Sequence, residues 1–229
     1  MRKLCSGKGF LILCMLVVLV AGNSVATGQE KDNIGFEWGF GALSGSAKDP
    51  KLASITRDRA LKSGDRVKMI VKLTRECFVY LLYEDTDGDI VLRFPYDLQQ
   101  FSTDYKVGKN YYIPKGSQWF QLDEKLGKET FYLLASPTRL TDLEGLLTKY
   151  QSSPASGKPA LAKDIVSEIR NVRKRFKTFT TTAERPISIG GNVRGVESPG
   201  AGRRPDVAAI TTEILANNFY GRTITIDHK

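Results

Sequence analysis

Between Arg66 and Leu73 the chain alternates in polarity. Val67, Met69, Val71 and Leu73 fall on one side of an extended backbone, and Arg66, Lys68 and Lys72 on the other, with Ile70 the one exception. A period of two marks a strand with one buried face, because successive side chains leave the pleat in opposite directions. Ser63-Gly64-Asp65 turns the chain into it. Cys77 to Tyr83 is apolar on both faces, the pattern of a central strand covered on two sides. Glu84 to Gly88 then forms a tight acidic turn, Ile90 to Phe94 returns as the hairpin partner, and Pro95 stops it. Further strands are expected over 110–113, 118–122 and 129–135, punctuated by Gly108, Pro114-Lys115-Gly116 and Gly127. Short strands joined by non-helical turns predict a mainly β fold, an antiparallel β-sandwich or barrel, rather than alternating βαβ units.

The flanks read differently. Phe36 to Phe40 alternates aromatic with polar or small residues, as an edge or packing strand does, and Leu43 to Leu52 is expected to be a loop. After Ser136-Pro137 the pattern turns helical. Thr141-Asp142-Leu143-Glu144 has the form of a capping box, and Leu143, Leu146, Leu147 and Tyr150 make a short apolar stripe. Beyond a Ser/Pro/Gly linker over 151–159, a second helix from Ala160 carries Leu161, Ile165, Ile169, Val172 and Phe176 on one face. The expected organisation is a signal peptide over 1–26, an N-terminal strand and loop over 27–54 and a β-sandwich domain over 55–140. A helical extension over 141–182, a flexible loop over 183–206 and a segment over 207–229 ending in a strand complete it. Residues 207–215 fit helix or strand equally.

The first residues set the expected compartment. Arg2, Lys3 and Lys8 precede an apolar run from Phe10 to Ala21, and Ser24 and Ala26 fit a small-x-small cleavage site. The run is shorter than the ~20 residues that span a bilayer, so export to the periplasm or beyond is expected, with no transmembrane span in the mature chain. Leu13 before Cys14 argues against lipidation. Removing the three basic residues of this segment from 34 leaves 31 basic against 25 acidic groups, a net charge of +6. Cys77 becomes the lone cysteine, which cannot form an internal disulfide, and its apolar strand setting suits a buried thiol.

The order of the short β motifs carries a resemblance. Leu61 to Val67, Cys77 to Leu82, Asp87 to Pro95, Tyr112-Ile113-Pro114, Gly127-Lys128-Glu129 and Leu133 to Ser136 follow one another as in domain-of-unknown-function family 4384, a secreted bacterial module. The segment from about 55 to 140 resembles that family. In it the domain occurs alone or appended to caspase-like peptidases, kinases and other envelope proteins. The resemblance implies an accessory or binding module and brings no catalytic residues with it.

The residue inventory points the same way. His228 is the only histidine, so a Ser-His-acid triad would need it as base, no Gly-x-Ser-x-Gly elbow is present, and zinc sites rich in His or Cys are excluded by count. No catalytic residue and no cofactor is assigned. Asp85, Asp87 and Asp89 offer oxygens to a calcium ion, or form a solvated turn, and they lack the EF-hand spacing. Arg170, Arg173, Lys174, Arg175 and Lys177 form either a solvated helix face or a polyanion site. Export argues against nucleic acid as partner despite a pI of 9.4. Trp38, Tyr112 and Trp119, with Phe40, Tyr111 and Phe120 nearby in sequence, either pack in the core or form an aromatic surface that meets glycan or peptide. The expected function is an exported, non-catalytic β-rich module that binds an envelope protein or glycan. The alternatives are a secreted hydrolase with an unrecognised carboxylate site and a polyanion or anionic-membrane binder acting through the basic helix.

Overall fold

The structure, a computed structural model, describes residues 33–46, 49–177, 182–187 and 205–229. The signal peptide expected over 1–26, and most of the loop expected over 183–206, lie outside them. The strands are β1 (Ile34–Ser46), β2 (Asp49–Ser54), β3 (Arg59–Leu61), β4 (Arg66–Leu73), β5 (Phe78–Glu84), β6 (Ile90–Phe94), β7 (Asn110–Ile113), β8 (Phe120–Gln121), β9 (Gly127–Ser136), β10 (Thr182–Pro186), β11 (Thr212–Ala216) and β12 (Tyr220–His228). The helices are α1 (Gln100–Thr103), α2 (Thr141–Ser152) and α3 (Lys158–Phe176).

The strands divide into two sheets. The first runs β10-β11-β1-β4-β7, with β2 also on β1 and β8 also on β4; the second runs β3-β12-β9-β5-β6. Pairing is antiparallel throughout except between β12 and β3. One core lies between the sheets: Phe36, Trp38 and Phe40 of β1 and Val67, Met69, Val71 and Leu73 of β4 meet Val79, Leu81, Phe131, Leu133, Ile224 and Ile226 of the second sheet. The fold is therefore a sandwich and not a closed barrel. The opposite face of the second sheet is covered by α2 and α3. There Tyr80, Leu82, Tyr132 and Leu134 pack on Leu143, Leu147, Tyr150, Ile165, Ile169 and Val172. This double cover explains why Cys77 to Tyr83 has no polar face: Val79 and Leu81 enter one core, Tyr80 and Leu82 the other.

Several expectations need correction. Residues 43–46 and 49–52 are strand and not loop: β1 continues to Ser46 and pairs with β2 from Gly41↔Ser54 to Ser46↔Asp49. The small residues that resemble loop sequence are needed for close approach. A Cβ at Gly41 would stand 2.8 Å from the Val207 side chain and 2.9 Å from that of Leu52, and one at Gly39 would stand 2.9 Å from the Val207 carbonyl oxygen. The short 3-10 turn Val207–Ile210 lies over these glycines and buries Ile70 on the supposedly exposed face of β4, which accounts for the exception in that strand's alternation. Residues 183–186, expected to be loop, pair with β11. Residues 207–215 are both alternatives in turn, the 3-10 turn and then β11. The strand expected over 118–122 is only Phe120–Gln121. The second helix starts at Lys158, ahead of Ala160, and ends at Phe176, so the helical segment stops short of 182.

The capping box does not form. Leu140 occupies the cap position and makes no side-chain cap bond. Glu144 instead takes a hydrogen bond from the Tyr80 hydroxyl at 2.6 Å and one from Arg139 Nε at 2.8 Å, while the Leu140 amide donates to the Tyr80 oxygen. A buried tyrosine and an arginine outcompete a solvent-exposed amide for the carboxylate, because charge-assisted bonds away from water are the stronger ones.

The helices are inserted rather than appended. After α3 the chain re-enters the first sheet as β10 and β11 and the second as β12, which lies between β3 and β9. With β1 inside the first sheet and β12 inside the second, strands from both ends of the chain complete the sandwich around residues 55–140.

Candidate functional site

The sandwich has one helix-covered side and one side formed by the outer face of the first sheet. Strand parity selects what stands there. On β4, Arg66, Lys68, Ile70 and Lys72 point away from the inter-sheet core. The cross-strand partners bring Leu43 beside Arg66 and Tyr112 beside Ile70. Phe120 of β8 packs inward on the core, so Trp119 and Gln121 stand on the same outer face.

Lys68 organises this face. Its side chain is buried, and its ammonium donates to the carbonyl oxygens of Pro114 at 3.3 Å, Gly116 at 2.7 Å and Gln118 at 2.5 Å. Those three bonds use all the donors an ammonium has. The loop from Pro114 to Gln118 is thereby fastened to β4, and Trp119 at its end is held in place. The same ammonium lies 5.4 Å from the centre of the Tyr112 ring and 6.0 Å from that of Trp119, within or at the limit of cation–π attraction. Burial pushes the Lys68 pKa below its ordinary value, with the Asp206 carboxylate opposing. Asp206 also accepts from the Tyr112 hydroxyl at 3.4 Å and from the Ala208 amide at 2.9 Å.

A groove of about 530 Å³ opens beside Trp119. Leu43, Pro50 and Pro205 give it apolar walls, Arg66 a positive charge, and Ser117 and Gln118 polar groups. Ligand pockets of roughly 300–1,000 Å³ combine these features: an apolar lining with a few polar groups that orient what is bound. Two of the three aromatic candidates thus meet around one cation. The third does not. Trp38 is 4% exposed and lies in the inter-sheet core against Phe40, so it is no surface residue. Phe40 and Tyr111 are buried with it.

The three aspartates sit in the β5–β6 turn. One Asp85 carboxylate oxygen accepts from the amides of Asp87 and Asp89, both at 2.9 Å; Asp87 pairs with Lys125; Asp89 accepts from the Tyr150 hydroxyl at 2.7 Å. Gly88 has φ +85°, the left-handed conformation such a turn requires. The carboxylates shape the turn and tie it to α2, and among the described residues no group of three or more His, Cys, Asp or Glu is placed to hold a metal ion.

The basic candidates of α3 and its C-terminal end divide between a groove, an ion pair and the exposed helix surface. Arg173, Lys174 and Lys177 line a groove of about 820 Å³ with Phe176, Phe219 and Tyr220, where the Phe176 and Phe219 rings stack at 5.5 Å. Arg173 also donates to the Thr223 hydroxyl at 2.8 Å. Arg175 is turned to Glu168 at 3.1 Å, and Arg170 is exposed one turn earlier on the helix.

One juxtaposition has no local signal in the sequence. The Ser63 hydroxyl is 3.1 Å from His228 Nε2, and a Glu129 carboxylate oxygen is 3.5 Å from Nδ1. The order of groups is that of a hydrolase triad, but the surroundings differ. The imidazole is fully buried, so a leaving group has no path to Nε2. Next to the serine, the Gly64 amide donates to the Leu122 carbonyl at 2.9 Å and the Lys62 amide to the Asp65 carboxylate at 3.0 Å, so these two donors are not free to stabilise an oxyanion. With the Lys229 amide bonded to the Leu61 carbonyl, the contact fastens the end of β12 to the turn after β3. Glu129 also lines a cavity of about 120 Å³ in which the Arg93 guanidinium lies between the Tyr83 and Phe120 rings, at 5.0 and 4.7 Å. Cys77 is buried, and burial pushes its pKa up to about 11, so it is no thiolate near neutrality.

Fold and face together define a two-sheet β-sandwich, backed by helices on one side and bearing an aromatic-edged groove on the other. Residues 60–139 match the family model described as Domain of unknown function (DUF4384), which bears out the resemblance carried by the β motifs. The matched segment runs from β3 to the end of β9 and includes Lys68, Tyr112 and Trp119. No curated protein and no solved structure was found to match the chain.

Proposed function

We propose that this protein is an exported, non-catalytic module that binds a protein or cell-envelope partner through the outer face of its first sheet. The observation that carries this reading is the convergence of Tyr112 and Trp119 on the buried Lys68 ammonium beside an open groove. A saturated ammonium under two rings is poor machinery for turnover and good machinery for holding a surface rigid, and rigidity before binding reduces the entropy lost on binding. Export rests on the sequence pattern of residues 1–26. No helix among the described residues is long and apolar enough to cross a membrane.

A second reading, polyanion binding, is favoured by the groove that Arg173, Lys174 and Lys177 share with the Phe176–Phe219 stack. One experiment separates the two. The processed protein is incubated with a washed cell-envelope fraction over a range of salt, and the bound share is measured for the wild type, Trp119→Ala and a triple Arg173→Ala/Lys174→Ala/Lys177→Ala variant. Retention should fall at least tenfold in Trp119→Ala, stay close to wild type in the triple variant, and depend weakly on salt. Retention that falls steeply with salt and vanishes only in the triple variant would establish the second reading instead.

A further inference from the structure

We propose that the Trp119 groove takes a saccharide bearing a carboxylate group, its ring stacked on the indole and its carboxylate paired with the Arg66 guanidinium; this rests on the reading of that face as the binding site. Among the described residues, Arg66 is the only ionisable side chain that lines the groove. No acceptor among the described residues is hydrogen-bonded to its guanidinium, in contrast to Lys68 two residues on, whose donors are all used. A guanidinium with no acceptor among the described residues, at a groove whose described walls carry no carboxylate, selects for an anion, and its planar fork suits a carboxylate bound through both oxygens.

The remaining walls favour a sugar over a peptide. A flat indole fixed by the Lys68-bound loop offers one stacking platform for a ring whose C–H groups face it. Ser117 and Gln118 are exposed beside it and supply hydroxyl and amide groups of the kind sugar hydroxyls pair with. A peptide strand would instead seek an open sheet edge with free backbone donors and acceptors. The groove lies on a sheet face, where β4 is already paired with β1 on one side and β7 and β8 on the other.

The full-length processed protein is titrated with an oligouronide, with a neutral oligosaccharide of the same ring type and length, and with a glutamate-rich peptide, by calorimetry and by tryptophan fluorescence. Trp38 is buried in the core, so a ligand-dependent change in emission reports Trp119. The oligouronide should bind at least tenfold more tightly than the neutral sugar. Arg66→Gln should reduce its affinity to the neutral level, and Trp119→Ala should abolish calorimetric binding of both. Unchanged thermal melts separate these effects from misfolding, and Arg66→Gln alone decides the case if Trp119→Ala melts early. Equal affinity for both sugars, no binding of the oligouronide, or full retention of its preference in Arg66→Gln would overturn the proposal. Binding of the peptide alone, lost in Trp119→Ala, would overturn the saccharide and leave the face as a binding site. Loss of envelope retention unconnected with Trp119 would remove both.

Discussion

Tyrosines do much of the joining in this molecule. Tyr80 ties β5 to α2 through Glu144, Tyr132 bonds Glu84, Tyr150 bonds Asp89, and Tyr105 accepts from the Val79 amide. Burial keeps the Tyr80, Tyr105 and Tyr132 hydroxyls protonated well above the ordinary value of 10.0, and pushes Tyr96 up to about 12. The unfolded chain therefore releases these protons first as the pH rises. Stability from these groups is fully present below pH 10 and is lost as the pH climbs toward the folded-state values. An alkaline titration should show tyrosinate absorbance lagging behind that of free tyrosine, then rising together with loss of the β circular-dichroism signal. Titration of all tyrosines near the ordinary value with the fold intact would contradict these environments. Residue chemistry was partly legible before the structure: Cys77, just ahead of β5, is buried as its apolar neighbours suggest. Trp38 and Trp119 were not distinguishable as isolated tryptophans, yet parity separates them, because Trp38 shares a face with Phe36 and Phe40. Lys68 was misleading, since an outward lysine on an alternating strand resembles a solvated one until the carbonyls of 114–118 close over it.

At the scale of elements, period two located β4, an apolar run on both faces located β5, and turn residues marked off β6, β7 and β9. These signals missed the β1–β2 hairpin, where glycines and alanine replace bulky residues under the Val207–Ile210 turn, and β10, whose residues are mostly exposed. The capping-box motif located the start of α2 while its carboxylate was committed elsewhere. Contacts between distant segments, such as Ser63 with His228 across 165 residues, leave no local trace. The long pairing of β12 with β9, from Tyr220↔Ala135 to His228↔Gly127, makes the C-terminal strand structural. A chain ending at Phe219 should fail to give a cooperative thermal transition, because the second sheet would lose an interior strand. Leu134, fully buried between that sheet and the helices, gives a graded test. Leu134→Ala should lower stability by about 2–5 kcal/mol in urea unfolding. A cooperative melt of the truncated chain would show that β12 is an accessory, and a cost below about 1 kcal/mol would show a loosely packed second core.

The whole molecule is asymmetric in a way that assigns its faces. Two helices cover one side of the sandwich and bury its second core, while the outer face of the first sheet, partly covered by the Val207–Ile210 turn and the 114–118 loop, carries the groove beside Trp119. That asymmetry follows from the chain order: the helices are inserted between strands, and the chain must return to both sheets. The class of fold was legible from strand spacing, and the family resemblance from the order of motifs. The groove was not, because its walls come from Leu43, Pro50, Arg66, Ser117 to Trp119 and Pro205, which are far apart in the chain. The most direct test of the central claim is hydrogen–deuterium exchange of the processed protein with and without a soluble envelope extract that it retains. Slower exchange should appear at residues 114–119 and around Arg66, with α3 unchanged. Protection confined to α3 and β12, or absent from the Trp119 loop at saturating extract, would contradict it.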